Sequence, residues 1–341
     1  MERIGRWQDR PHAWRTWATT AVLLAALGVC RAGSDGRSSA ATAWTGDPGL
    51  QKVIRAALDT ALDRLAAQKL EPDQVALTLV DLTHPNRPRR ASYRGQARIY
   101  PASVVKLFYL VAAQQWLEDG RLQPTAELQR ALRDMIVDSS NDATHYVVDV
   151  LTDTTAGPEL SREAMARWAY KRNAVNRYFS RQGYTNINVN QKPWCEGPYG
   201  RERVFVGEHY ENRNLLTTDA TARLLVEIVL GRAVNAKRSA SMMRLLRRNP
   251  AKPAPPFTQD NAFIGRGLPP GARLWSKAGW TSTVRHDAAY VELPDGRRFV
   301  LVIFTTGHSR EREIIPTLAR AVRIAWPAAS GAPSRHAAPH P

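Results

Sequence analysis

The sequence is poor in cysteine, in acidic residues and in long apolar runs. Only Cys30 and Cys195 occur among 341 residues. If the basic leader is removed, Cys195 stands alone and no internal disulfide can form, so a disulfide-stapled small domain is excluded. Cys195 lies in Pro193-Trp194-Cys195-Glu196-Gly197 with no base beside it in sequence, and reads as a packed thiol. His84, His145, His209, His286 and His308 show neither i,i+4 nor H-x-H pairing, so they read as scattered structural or surface residues and no metal centre is expected. No G-x-x-x-x-G-K-[ST] loop is available to cradle a phosphate. No internal repeat is visible.

Acidic residues number 31 against 48 lysines and arginines, a net charge of +17. The excess is mostly scattered arginine, with short pairs such as Arg89-Arg90 and Arg247-Arg248. There is no long basic helix, no aromatic–basic interleaving and no Cys/His finger spacing, so nucleic acid is not the expected partner. A basic surface facing an anionic cell envelope or membrane fits better. Arg3, Arg6, Arg10 and Arg15 precede an apolar run from Trp17 to Cys30 that is too short to span a bilayer comfortably. This is the layout of a secretory leader over 1–32, so a periplasmic or secreted protein is expected. Cleavage after Ala32, cleavage after Ala43, lipidation at Cys30 and retention as an anchor all stay open.

A Ser/Gly/Ala-rich linker is expected at 33–46 and a catalytic domain at 47–326, followed by a Pro/Ala/Ser/His tail at 327–341 without fixed structure. Apolar spacing predicts a helix over 50–70 and strands over 75–82 and 92–99, with a turn at 84–90. Further helices are expected from Ser103 to Asp119-Gly120 and at 125–137, 161–181, 218–231 and 237–248. The segment 183–211 is irregular and long enough to be a functional wall or lid. Strands at 273–277 and 285–293 flank an expected bend at Gly279-Trp280-Thr281; Asp295-Gly296 then turns into a strand at 298–306, and a helix closes at 314–325. The expected class is α+β: a five-stranded antiparallel sheet built from both chain ends, flanked by the N- and C-terminal helices, with an all-helical segment between.

Three pieces carry chemistry. Ser103 is the only serine followed three residues later by a lysine, Lys106. On a helix the two share a face, and an amine of lowered proton affinity can take the proton of a serine nucleophile. Ser139-Ser140-Asn141 interrupts two helical patterns, where a plain capping turn is the ordinary expectation. Lys277-Ala278-Gly279 sits on an expected strand.

In this order, S-x-x-K, S-x-N and K-x-G resemble the signature of the penicillin-recognising serine hydrolases, more narrowly the class A β-lactamase group. The resemblance covers most of 50–326 and includes the stretches 135–144 and 267–279. It implies the β-lactamase/transpeptidase fold and an acyl-serine mechanism without a cofactor. Ser103 would be the nucleophile, Lys106 its base, and Ser139 the proton donor to the leaving nitrogen. Asn141, Lys277, Gly279 and Arg285 would bind substrate, and the N–H groups of Ser103 and Trp280 would form the oxyanion hole. The implied substrate is a β-lactam or a peptidoglycan-like peptide, taken by a monomer. An alternative is a D-alanyl-D-alanine peptidase or other amide or ester hydrolase; a third is a non-catalytic envelope-binding module. Three departures stand out. Ala278 replaces the usual Thr or Ser, with Thr281 or Ser282 as substitutes. The Ser103–Ser139 interval is short. No E-x-x-L-N occurs in 183–211; of the glutamates there, Glu196 and Glu202 are the available carboxylates, Glu196 being the candidate for deacylation.

Overall fold

The computed structural model describes residues 45–194, 197–251, 258–260 and 262–326. The leader, nearly all of the linker, the tail, Cys195 and Glu196 lie outside the described residues. The chain begins with a two-residue strand, β1 (Thr45–Gly46). Asp47 then accepts the Leu50 N–H at 2.8 Å and Pro48 occupies the first turn, so α1 (Pro48–Arg64) starts with a capped end. Leu50, Val53, Ile54, Ala57, Leu58 and Ala61 form its buried face. The helix is shorter than its apolar spacing predicted because Lys69 adopts a left-handed conformation after a 3₁₀ turn at Ala66–Gln68.

β2 (Val75–Asp81) is buried on both faces. β3 (Arg89–Tyr93) lies earlier than expected, because the chain turns at Arg94, whose φ is +50°. Next come α2 (Lys106–Glu118), α3 (Ala126–Ile136) and α4 (Asn141–Thr152). Ten of the thirteen α2 residues are buried, the pattern of a helix enclosed on all sides. The single helix expected at 161–181 is two, α5 (Arg162–Arg172) and α6 (Ala174–Arg181). They break at Asn173, whose side-chain oxygen accepts from Asn176 and Asn190 and ties the break to the irregular segment. That segment contains one short helix, α7 (Gly200–Val206).

The chain continues through α8 (Thr218–Val229), α9 (Ala236–Leu246) and a two-residue β4 (Arg247–Arg248). β5 (Arg273–Trp280), β6 (Val284–Glu292), β7 (Arg298–Thr306) and α10 (Ile314–Ala325) complete it. β5 runs straight through the expected bend. The turn falls later, where Thr281 N–H donates to Val284 O and the Thr281 hydroxyl accepts from Thr283 and Val284 N–H.

The strands order as β1-β3-β2-β7-β6-β5-β4, antiparallel except for β1 on β3. The five longer strands are the expected sheet, and the two-residue pieces extend its edges. β2 pairs with β7 from Val75↔Thr305 to Asp81↔Phe299, so the two chain ends meet in the centre. Alternation sends Val75, Leu77 and Leu79 to the face covered by α1 and α10. It sends Ala76 and Val80 to the other face, with α2 and α8. Lys277 and Gly279 pair with Ala288 and His286, and Ala288 belongs to the second face, so β5 presents both residues to the helical side.

Candidate active site

Ser103 lies in a 3₁₀ turn, Ala102–Val105, that runs into α2 at Lys106. The sequence suggested a regular helix here; the turn is tighter, and i and i+3 eclipse in a 3₁₀ turn, which sets Ser103 and Lys106 on one side. Ala102 carries a φ of +45°, unusual for a residue with a side chain. The turn is gripped from the sheet. His286, fully buried, meets the Tyr100 carbonyl through Nε2 at 2.9 Å and accepts the Thr305 N–H on Nδ1 at 3.1 Å. Nδ1 as acceptor leaves the proton on Nε2, which therefore donates to Tyr100. Burial pushes the imidazole pKa down to about 4, so it is neutral at neutral pH.

Gly279 faces the same turn. A Cβ there would lie 2.7 Å from Ser103 N, 2.8 Å from Pro101 O and 2.9 Å from Val104 N. The missing side chain therefore admits the nucleophile's turn against the strand. Ser276 O accepts from Arg248, and Ala278 N–H donates to Gln259, both on the edge of β5 away from β6. By the alternation of an antiparallel pair, the N–H of Trp280 points the same way, towards the edge beside the Ser103 turn.

The three motifs converge. The ammonium of Lys106, fully buried, donates to Ser139 O at 2.6 Å, Asn141 Oδ1 at 2.8 Å, Ser140 O at 3.3 Å and Ser139 Oγ at 3.3 Å. Lys277, also fully buried, donates to Ala278 O at 2.6 Å, Gln259 Oε1 at 2.7 Å and Ser139 Oγ at 3.0 Å. Burial, then Lys106 and then Arg248 hold the Lys277 pKa well below its ordinary value. Ser139 has a φ of +59°, which turns its side chain in from the gap between α3 and α4 while Ser140 caps α4 through Ala143 N–H. The Ser139 oxygen accepts from both lysines. With both lone pairs engaged, its own proton is directed to a third group.

Arg285 is not part of this cluster. It stands opposite Trp280 and so shares the sheet face of Ala278, not that of Lys277. Its guanidinium lies 4.0 Å from the Phe263 ring and donates to Ala262 O at 3.2 Å, and burial lowers its pKa to about 10. The Ala278 methyl is buried on that face too, and the Thr281 hydroxyl is engaged within its own turn. Glu202 is fully buried. It takes Arg172 on both oxygens at 2.7 and 2.8 Å and Lys192 at 3.3 Å. The segment leading to Glu196 is held near α4: His145 meets Pro193 O at 2.6 Å and its ring lies 4.7 Å from that of Trp194.

Sequence reasoning passed over two residues at the centre. Gln259 follows a proline-rich stretch without periodicity, and nothing in the sequence marks it. Arg248 lies in one of the noted arginine pairs; its Nη2 donates to Ile136 O at 2.8 Å and Ser276 O at 3.1 Å.

This fold brings a serine turn, two lysines and a bridging hydroxyl together, the arrangement implied by the resemblance to the penicillin-recognising serine hydrolases. The chain belongs to the Beta-lactamase enzyme family, whose model matches residues 57–328. Its fold is similar to that of a beta-lactamase from Sphaerobacter thermophilus, at 20% identity and a TM-score of 0.57, covering 78% of this chain and 95% of that one. It is similar to a beta-lactamase from Xanthomonas campestris pv. campestris, at 16% identity and a TM-score of 0.57, covering 81% and 98%. It is also similar to a point mutant of PBP-A, solved as an acyl-enzyme complex with penicillin G, at 18% identity and a TM-score of 0.56, covering 78% and 94%. A curated relative, Golvesin of Dictyostelium discoideum, is 24% identical over 225 residues, 64% of this chain. The match spans only 37% of that protein's length.

Proposed function

We propose that the chain is an exported serine hydrolase that opens the amide of β-lactams through an acyl-Ser103 intermediate. The observation that carries this reading is the Ser139 hydroxyl held between the ammonium groups of Lys106 and Lys277. Burial and the charge of Lys106 hold the Lys277 pKa well below its ordinary value. The Ser139 hydroxyl between the amines lets a proton pass from Lys106 to Lys277, which leaves Lys106 neutral in the reacting state. In that state Lys106 takes the Ser103 proton as Oγ bonds to the carbonyl carbon. The carbonyl oxygen becomes an anion facing the N–H groups of Ser103 and Trp280, where one such donor is worth about 2.7–4 kcal/mol of barrier. Collapse breaks the C–N bond. Ser139 passes its proton to the leaving nitrogen and is reprotonated from Lys106. Water then cleaves the ester and regenerates Ser103. Asn141 would hold the substrate's amide side chain and Lys277 its carboxylate.

A second reading is a D-alanyl-D-alanine peptidase that hydrolyses its acyl-enzyme slowly with β-lactams. The engagement of Glu202 by Arg172 and Lys192 favours it, because that carboxylate is not free to activate water. Export and contact with an anionic envelope rest on the basic leader and the net charge of +17, and the monomeric state rests on the family resemblance. The test is fluorescent penicillin labelling with mass spectrometry of the peptide carrying Ser103, beside nitrocefin turnover. Turnover supports the β-lactamase reading, and a stable adduct supports the peptidase. Absence of any Ser103 adduct would sink both.

A further inference from the structure

Gln259 touches β5 and the end of α3 at once. It is 6% exposed, and its side-chain amide has four partners. Oε1 accepts from Lys277 Nζ at 2.7 Å and from Ala278 N–H at 3.0 Å. Nε2 donates to Ile136 O at 3.1 Å and to Val137 O at 2.9 Å. The orientation is fixed by chemistry: a flipped amide would put its NH2 against an ammonium and an N–H, and its oxygen against two carbonyls. Ile136 and Val137 end α3, where helix carbonyls have no partner of their own, and Ser139 follows two residues later.

We infer that Gln259 is a positioning residue that fixes Lys277 relative to Ser139 by tying the β5 edge to the end of α3. The inference rests on the reading of Ser103 as nucleophile and names what holds its partners in place. Gln259 also fills the outward N–H of Ala278. Along that edge, the N–H of Trp280 is then the one left to face a substrate carbonyl. A neutral acceptor serves where a carboxylate would not: an ionised oxygen in the Nε2 position would face two carbonyls, and the other would clamp the Lys277 proton.

The experiment compares wild type with Gln259→Leu and Gln259→Glu. For each, the rate constant of Ser103 acylation by penicillin G is measured against pH and normalised to the fraction of protein acylated at plateau. In Gln259→Leu that rate constant falls at least about tenfold, since a misplacement near 1 Å costs up to about a hundredfold. In Gln259→Glu the protonated carboxyl can still accept from Lys277 and donate to one carbonyl, so the rate relative to wild type is highest in acid and declines as the carboxyl ionises. Rate constants and pH profiles that match wild type, with only a lowered melting temperature, would overturn the inference. If Gln259→Leu does not fold, the pH-dependent ratio in Gln259→Glu decides, and a ratio flat with pH refutes it. Should wild type itself take no acyl group, the hydrolase reading fails separately. The contact is then read from the Lys277 Nζ titration by NMR of lysine-labelled protein. A midpoint displaced in Gln259→Glu supports the contact between residue 259 and Lys277 on which the inference is built, and an unchanged one overturns it.

Discussion

Ser139 accepts a hydrogen bond from Lys277 at 3.0 Å although the two stand 138 residues apart. Lys106 reaches the same oxygen at 3.3 Å, so one hydroxyl separates two buried ammonium groups. Ser139→Ala removes the shared acceptor and the proposed proton donor together. Acylation of Ser103 should slow by about 10²–10⁴, the usual worth of a positioned acid or base. Stopped-flow with a chromogenic cephalosporin measures this. A rate within threefold of wild type would remove Ser139 from the reaction.

The two buried titratable groups at the heart of β6 pull stability in opposite directions with pH. His286 is held neutral, its pKa lowered to about 4 by burial. Between the ordinary histidine value and 4 the unfolded chain binds more protons, so the stability this group supplies is complete above 6.5 and is lost as pH falls through 4. Burial raises Asp287 from 3.8 to about 6, so its contribution is complete below 3.8 and is lost as pH rises through 6. Each shift corresponds to roughly 3 kcal/mol and the windows overlap, so they largely cancel in wild type. Asp287→Asn should uncover the histidine slope: stability to urea should fall by about 3 kcal/mol between pH 7 and pH 4. His286→Asn should show the reverse slope. Parallel curves for all three proteins would contradict the assignment.

How much of this was legible beforehand follows from how local each signal is. Ser103–Lys106 and Ser139–Asn141 are short spacings, and Lys277–Gly279 sits on a strand with clear alternation, so all three motifs could be found in one dimension. The sheet's assembly from both ends followed from where the strands fell. Arg285 shows the limit. Its position on the next strand was readable, but its face depends on the register Trp280↔Arg285, which is set by where the turn at Thr281 closes. Gln259 and His286 were invisible for another reason. Their roles lie in contacts across 18 to 186 residues, and neither has a local pattern.

The placement of Arg285 gives a contrast with Lys277. Arg285→Ala should leave the KM for a carboxylate-bearing β-lactam within about twofold, because the guanidinium is engaged by Ala262 O and the Phe263 ring. Lys277→Ala should raise KM and lower the acylation rate together. Steady-state kinetics on the two variants separates them. Equal losses from both would mean that Arg285 reaches substrate.

Gly279 tests the grip on the nucleophile's turn. In Gly279→Ala the methyl would meet backbone atoms at 2.7 to 2.9 Å, and backbone cannot move aside as a flexible side chain can. Overpacking of this kind costs about 1–3 kcal/mol, and relief would come from displacement of Ser103. The variant should melt lower and acylate at least tenfold more slowly. Wild-type acylation in a folded Gly279→Ala would show that the turn and strand are not in contact as described.

Glu202 and Arg172 supply the prediction that most directly separates framework from chemistry. Both side chains are fully buried, and the pair anchors α5 to α7 with Lys192 and Asp149 beside it. Removing the Glu202 charge leaves Arg172 and Lys192 to share Asp149, so the loss is a part of the roughly 3–5 kcal/mol that a fully unpaired buried charge would cost. Glu202→Gln should therefore lower the melting temperature clearly, yet the folded fraction should release its acyl group at the wild-type rate. That rate is read by mass spectrometry after a penicillin pulse, normalised to acylated Ser103. An adduct that accumulates in Glu202→Gln while stability stays near wild type would make Glu202 the carboxylate that activates water, and the ion pair would then have to open during turnover.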